Sequence, residues 1–159
     1  MIVYASGCNK MVVSLDAVQE LLQKWQDILR LRDWDIQVRI VETEWRKSGD
    51  IKIDMDDKKA VMLINSNPKS TNLEELVVHE LLHLKLWGID QMLEGLITTA
   101  FGEDDMDPRK GFAMRQFFTL LESTVEDLAK GYLSANGVKD GLSFGRLEKQ
   151  ISDEIKKQR

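Results

Sequence analysis

Apolar residues recur every three or four positions near the start of the chain, and this spacing predicts an amphipathic helix. The helix is expected to begin at Leu15, because Ser14 is placed to cap its first turn. Its apolar stripe consists of Leu15, Val18, Leu21, Leu22, Trp25, Ile28 and Leu29.

Three segments after this helix have the patterns of β-strands. Apolar and polar residues alternate over residues 36–40 and again over residues 51–55, which is typical of half-buried strands. Residues 60–65 are almost continuously apolar and predict a more buried strand, which follows a polar turn at residues 56–59. We expect the three strands to form a small, mainly antiparallel sheet.

A helix is predicted to follow the sheet. Both Thr71 with Glu74 and Asn72 with Glu75 fit a helix-capping box, so the helix is expected to begin at one of these two positions. Gly88 is a favourable residue just past a helix terminus, and the helix is expected to end near it.

The rest of the chain is also predicted to be mainly helical. A shorter helix is expected over residues 90–100, a loop over 102–111 and a long helix over 112–133. We expect residues 1–136 to form a single α+β domain. Residues 137–159 are expected to form a charged C-terminal tail that is helical in part.

The first of these helices carries the motif HELLH at residues 79–83, with both histidines of the chain. Residues four apart project from the same helix face, so His79 and His83 can direct two ring nitrogens at one metal ion. Glu80 lies about 100° further round the axis, where its carboxylate can reach a metal-bound water rather than the metal. The alternative is a core helix with two incidental histidines. Because the helix is apolar almost all round, we expect it to be buried, and its polar side chains then need partners that a metal and its water supply.

A catalytic zinc ion usually has three protein ligands and one open position. The chain has no third histidine, so the candidates are Cys8 or a carboxylate. Glu122 lies in the middle of an apolar stripe on the 112–133 helix, where an unpaired carboxylate is costly, and we predict that it is the third ligand. The other members of the stripe are Met114, Phe118, Leu121, Val125, Ala129, Tyr132 and Leu133.

Glu126 lies one turn after Glu122, at the edge of the same stripe. It is predicted to accept a hydrogen bond from a ligand histidine and so to fix the orientation of that ring. The alternatives are an ordinary surface position for Glu126, and for Glu122 a buried carboxylate that is paired with an arginine or with backbone donors.

Composition and charge restrict the classes of function. The chain has 159 residues, of which 43% are hydrophobic and 31% charged, as in a soluble globular domain. A formal net charge of -5 disfavours binding to nucleic acid or to an anionic membrane. The single cysteine cannot form an intramolecular disulfide, and neither a signal peptide nor a membrane span is recognisable, so a cytoplasmic protein is expected.

Two further stretches extend the pattern around HELLH. HELLHLKL at residues 79–86, followed by ESTVEDLA at 122–129, resembles the gluzincin pattern of HExxH and a downstream glutamate helix. The compact form of this pattern occurs in small metallopeptidases of bacteria and their phages. Residues 31–45 and 60–68 also resemble the segments that precede the active-site helix in minimal zincin domains, including SprT-like ones.

The resemblance implies a zincin-like fold with a buried HExxH helix and a glutamate helix. It implies that His79, His83 and Glu122 bind zinc and that Glu80 activates the water. It also implies that the 60–65 strand borders the cleft, where an extended peptide can pair with its edge. Gluzincins often have a tyrosine or histidine that stabilises the oxyanion. No motif marks one here, and Tyr132 is the candidate.

The predicted function is therefore a zinc metallopeptidase that acts on a peptide or protein substrate. One alternative is a zinc-stabilised binding module without turnover, in which the acidic loop at residues 103–107 serves as a calcium or partner site. A second is a deformylase-like amidohydrolase with Cys8 as the third ligand, although the glycine-rich motif of that family is absent. A DNA-linked role of the SprT-like kind is disfavoured by the acidic charge and by the lack of zinc-ribbon cysteines.

Overall fold

A computed structural model of the chain describes residues 13–139, 141–143 and 147–157. The predicted α+β class and the order of the first four elements are confirmed. No helix in these ranges is both long enough and apolar enough to cross a membrane. The elements are α1 (Leu15–Ile28), β1 (Asp35–Val41), β2 (Gly49–Asp54), β3 (Lys59–Asn65), α2 (Leu73–Phe101), α3 (Pro108–Ala135) and α4 (Leu147–Lys157).

The sheet is mixed, so the prediction of a mainly antiparallel sheet is wrong. Its strand order is β1-β3-β2, with β3 parallel to β1 and antiparallel to β2. Alternation along a strand identifies its two faces, but it specifies neither the neighbouring strand nor the direction of pairing. The most apolar strand, β3, takes the central position, where Met62 and Ile64 are fully buried.

This order also overturns the expectation that residues 60–65 offer a free edge to a peptide. Both edges of β3 are paired along its length, to β1 on one side and to β2 on the other. The edge strands of the sheet are therefore β1 and β2.

The HELLH helix does not end near Gly88, and there is no separate helix at residues 90–100. Instead α2 is one continuous helix of 29 residues. A glycine inside a helix costs only about 1 kcal/mol relative to alanine, and the packing of α2 against α3 outweighs that cost. Asn72, and not Thr71, is the N-cap, since its side chain accepts a hydrogen bond from the Glu75 backbone N–H at 3.0 Å.

The core lies where α2 packs against the sheet, α1 and α3. Trp25, Ile64, Leu81 and Val125 come from four different elements and are fully buried in it. The first half of α2 is consequently held on several sides, whereas its second half carries exposed apolar residues. This burial fixes the orientation of the α2 segment that contains HELLH.

Part of the predicted C-terminal tail belongs to the folded body. Val138 and Leu142 pack against the core. The Ser143 backbone N–H and hydroxyl both donate to the buried carboxylate of Glu75, at 2.9 and 2.6 Å. The helical part of the tail, α4, begins only after these contacts.

Candidate metal centre

Two packed helices hold the predicted ligands. His79 and His83 lie on α2, and Glu122 lies on α3, which packs against α2. The loop between these helices is short, so α3 runs back along α2 and places its middle turns beside HELLH. The core contacts of Leu81 and Val125 fix the rotation of the two helices, so that the three side chains meet.

The three side chains converge on one point. The Nε2 atoms of His79 and His83 are 3.1 Å apart. One carboxylate oxygen of Glu122, Oε2, lies 3.5 Å from Nε2 of His79. The other, Oε1, lies 3.3 Å from Nε2 of His83. This cluster can hold a metal ion. In the part of the chain that the structure describes, no other group of three histidine, cysteine or acidic residues has its ligand atoms within 4.8 Å of one another.

The charges within the cluster favour an ionised carboxylate. Hydrogen bonding and charge from the two histidines hold the pKa of Glu122 well below its usual range. Burial opposes protonation of His79, but Glu122, Glu80 and Glu126 together outweigh burial and raise the pKa of His79. The histidines, rather than an arginine, are thus the partners of Glu122.

Glu122 is less buried than its position on the apolar stripe predicted. Its side chain is 45% exposed, and Phe118 and Tyr132 of the same stripe are also exposed. The fully enclosed members of the stripe are Val125, Ala129 and Leu133. Phe118 and Glu122 are exposed because they line an open cleft, which Leu121 also borders while it packs against the core.

Glu80 lies beside the cluster and is almost completely buried, with 6% of its surface exposed. Burial raises its pKa to about 7, although the charges of the nearby histidines act to lower it. Its carboxylate lies directly against Gly49 at the start of β2, where an added Cβ would be 2.6 Å from Oε1. Sequence reasoning missed Gly49, although a glycine in a strand often marks such a close approach.

The structure does not place Glu126 and Tyr132 in the roles predicted for them. Glu126 lines the cleft, but its carboxylate accepts a hydrogen bond from Lys130 at 2.8 Å and none from a histidine. Tyr132 is ten residues beyond Glu122, about 15 Å along a helix, and is not among the residues that line the cleft.

The cleft has a volume of about 1000 Å³ and lies between β2 and the paired helices α2 and α3. Arg46, Lys47 and Lys69, which precede β2 and α2, line one part of it. Trp87, Asp90 and Glu94, which follow HELLH on α2, line another part. The metal cluster lies between these two parts along α2.

Sequence reasoning also missed Asp90. Asp90 is seven residues beyond His83, so a continuous helix places it within about 20° of His83 around the axis. The sequence predicted a helix that ends near Gly88. A helix that ends there does not place Asp90 on the same face as His83, so Asp90 was not identified as a candidate.

The sequence offered two other candidate features, Cys8 and the acidic loop at residues 103–107. Cys8 lies outside the described residues. In the acidic loop, Asp105 pairs with Lys110 at 2.8 Å, and Asp107 caps α3 and pairs with Arg109 at 2.8 Å. Two of the four acidic side chains of the loop are thus engaged in ion pairs with neighbouring basic residues.

Comparison of the chain with models of protein families, with curated proteins and with solved structures finds no match. The geometry of the cluster and its cleft is therefore the basis on which a function is assigned.

Proposed function

We propose that this chain is a zinc-dependent metallopeptidase of zincin-like design that hydrolyses peptide bonds. The observation that carries the proposal is the convergence of His79, His83 and Glu122 beside the buried carboxylate of Glu80. Ligand atoms about 2.0–2.2 Å from a tetrahedral zinc ion lie about 3.4 Å from one another. The two Nε2 atoms are 3.1 Å apart, close to this value. Each of them also has one oxygen of Glu122 at a similar distance, Oε1 at 3.3 Å from His83 and Oε2 at 3.5 Å from His79.

The number of ligands supports a catalytic rather than a structural zinc ion. Structural sites are closed by four protein ligands, whereas catalytic sites have three and leave one position open. Among the described residues the cluster has three members and opens onto the cleft. A closed, zinc-stabilised binding module is therefore the weaker proposal.

Zinc held by these residues would supply a Lewis acid that acidifies water and polarises a carbonyl group. In the proposed reaction Glu80 takes the proton of the attacking water and later gives it to the leaving amine. Burial raises the pKa of Glu80 to about 7 in the metal-free protein, and a zinc ion beside it would lower this pKa and favour the ionised carboxylate that accepts the proton. Gly49 has no side chain and so leaves room for this carboxylate beside β2.

The edge strand β2 is the proposed docking site for an extended substrate. One edge of β2 pairs with β3, and its other edge has no strand beside it within the described residues. Gly49, Asp50, Ile51 and Ile53 of this strand line the cleft. A peptide that pairs with the free edge would pass the metal cluster, which makes β2 the proposed edge in place of residues 60–65.

Glu80→Gln tests the proposal. The variant is expected to bind zinc as the wild type does and to lose hydrolysis of a fluorescently labelled unfolded protein, because glutamine cannot accept the proton. Glu20→Gln, the same change at an exposed position of α1, is the matched control and should retain full activity. Undiminished hydrolysis by zinc-loaded Glu80→Gln would exclude the proposed mechanism.

A further inference from the structure

Asp90 is a buried carboxylate with an unused hydrogen-bonding atom. Only 7% of its surface is exposed, and its Oδ1 has no hydrogen-bond partner among the described residues. Buried polar groups in proteins nearly always have a partner, and an unpaired buried carboxylate is particularly costly. Asp90 lines the cleft, so a molecule bound there can supply the missing partner.

The surroundings of Asp90 are acidic. Glu94 lies one helical turn further along α2 and also lines the cleft. Burial raises the pKa of Asp90, Glu122 raises it further and His83 acts against both. The lysine and arginine side chains that line the cleft belong to Arg46, Lys47 and Lys69, before β2 and α2. The part of the cleft around Asp90 thus has an excess of negative charge.

Two aromatic side chains also line the cleft. Trp87 precedes Asp90 by three residues, and Phe118 comes from α3, one turn before Glu122. Aromatic rings pack well against the methylene stem of lysine or arginine, and their faces attract the charged end. The combination of ring surfaces and a buried carboxylate is suited to a long side chain with a terminal positive charge.

We propose that Asp90, assisted by Glu94, forms a subsite for a lysine or arginine side chain of the substrate. This inference rests on the proposed peptidase function and names the substrate class: peptides with a basic residue near the scissile bond. Trp87 and Phe118 contact the stem of that residue, and Asp90 accepts hydrogen bonds from its charged end.

Distance favours a side chain over the N-terminal ammonium group of the substrate. Asp90 is seven residues from His83, which is about 10 Å along the helix axis. A terminal ammonium group on the residue that carries the scissile carbonyl would lie only a few atoms from the metal. A lysine or arginine side chain is long enough to extend from the metal cluster towards Asp90.

Binding to zinc-loaded Glu80→Gln tests the subsite without turnover. The probes are acetylated peptides in which one lysine, one arginine or one uncharged norleucine is placed at each position in turn. A fourth peptide has norleucine and a free N-terminus. We expect one position of the peptide at which lysine or arginine gives at least about tenfold tighter binding than norleucine at the same position. The reason is that hydrogen bonds to charged groups contribute about 1.5–3 kcal/mol.

When Asp90→Asn is combined with Glu80→Gln, most of this preference for lysine and arginine should be lost. The Kd of the norleucine peptide should change by less than about twofold, because asparagine keeps the shape of the aspartate side chain and only its charge is lost. Glu94→Gln, at a more exposed position, should reduce the preference less. Asp127→Asn, on the exposed side of α3, is the matched control and should leave every Kd unchanged.

Four results would overturn the subsite. The first is that both Asp90→Asn and Glu94→Gln keep the preference for lysine and arginine peptides, and the second is that no position shows this preference. The third is that the norleucine peptide with a free N-terminus binds as tightly as the lysine and arginine peptides, and the fourth is loss of zinc from Asp90→Asn. The last would mean that Asp90 orients a metal ligand. Hydrolysis of the peptides by Glu80→Gln would instead contradict the proposed mechanism, and the comparison of Kd values would still report on Asp90.

Discussion

Gly49→Ala tests whether the close contact with β2 holds Glu80 in its working position. A Cβ at residue 49 would lie 2.6 Å from Glu80 Oε1, 3.1 Å from Glu80 Cδ and 3.0 Å from Leu76 Cδ1. Ordinary contact begins at 3.4 Å, so the carboxylate must retreat by about 0.8 Å. Gly49 does not have a positive φ, so alanine introduces no backbone strain.

The expected result is a large loss of hydrolysis with normal zinc content. A displacement of about 1 Å in a catalytic group lowers the rate on the order of 100-fold. The added methyl group should also reduce the free energy of unfolding by about 1–3 kcal/mol, because the site is already filled. The measurements are kcat/KM on a labelled peptide, metal content by emission spectroscopy and urea unfolding.

Gly88→Ala is the matched control for this variant. A Cβ at Gly88, on the same helix as Glu80, meets nothing within 4 Å. This change should leave zinc content and kcat/KM unaltered and stabilise the protein by about 0.5–1 kcal/mol, because alanine is the better helix former. Wild-type kcat/KM in folded, zinc-loaded Gly49→Ala would refute the view that β2 positions Glu80.

Three further predictions concern the ligands, the pH dependence and the start of α2. Glu122→Ala should lose zinc in equilibrium dialysis while Glu126→Ala retains it; the opposite result would reverse the ligand assignment. In the metal-free protein the pKa of Glu80 is raised from 4.5 to about 7, so its burial favours the protonated form and destabilises the fold as pH rises through this interval. Urea unfolding should therefore show metal-free Glu80→Gln to be about 3 kcal/mol more stable than metal-free wild type at pH 8 and equal to it near pH 4; a gap that does not grow with pH would contradict this. Asn72→Ala should lower the free energy of unfolding by about 1 kcal/mol through loss of the cap bond to Glu75, measured against an exposed control such as Gln19→Ala.

The local pattern of the sequence was sufficient for most of the secondary structure and for the three ligand candidates. The period of the apolar residues placed α1 and three strands close to their observed positions. HELLH needs only the geometry of one helix to align its two histidines. Glu122 was recognisable because a carboxylate within an apolar stripe is costly unless it has a partner.

Pairing between distant segments could not be predicted in the same way. The strand order β1-β3-β2 depends on which strand is buried most completely, and that is a property of the whole sheet. The continuity of α2 through Gly88 depends on its packing against α3, which outweighs a local preference of about 1 kcal/mol.

The sequence by itself therefore determined most of the elements, the alignment of His79 and His83 on one helix face and the place of Glu122 on an apolar stripe, because each follows from the period of a single element. Only the tertiary structure decided that the Glu80 carboxylate lies against Gly49, that Glu126 pairs with Lys130 and that Oδ1 of Asp90 has no hydrogen-bond partner among the described residues. The physical reason is that the surroundings of Gly49 and Asp90 are formed by side chains from other helices and strands. Contacts and burial of this kind depend on how the elements pack, and the residues of one element alone do not specify that packing.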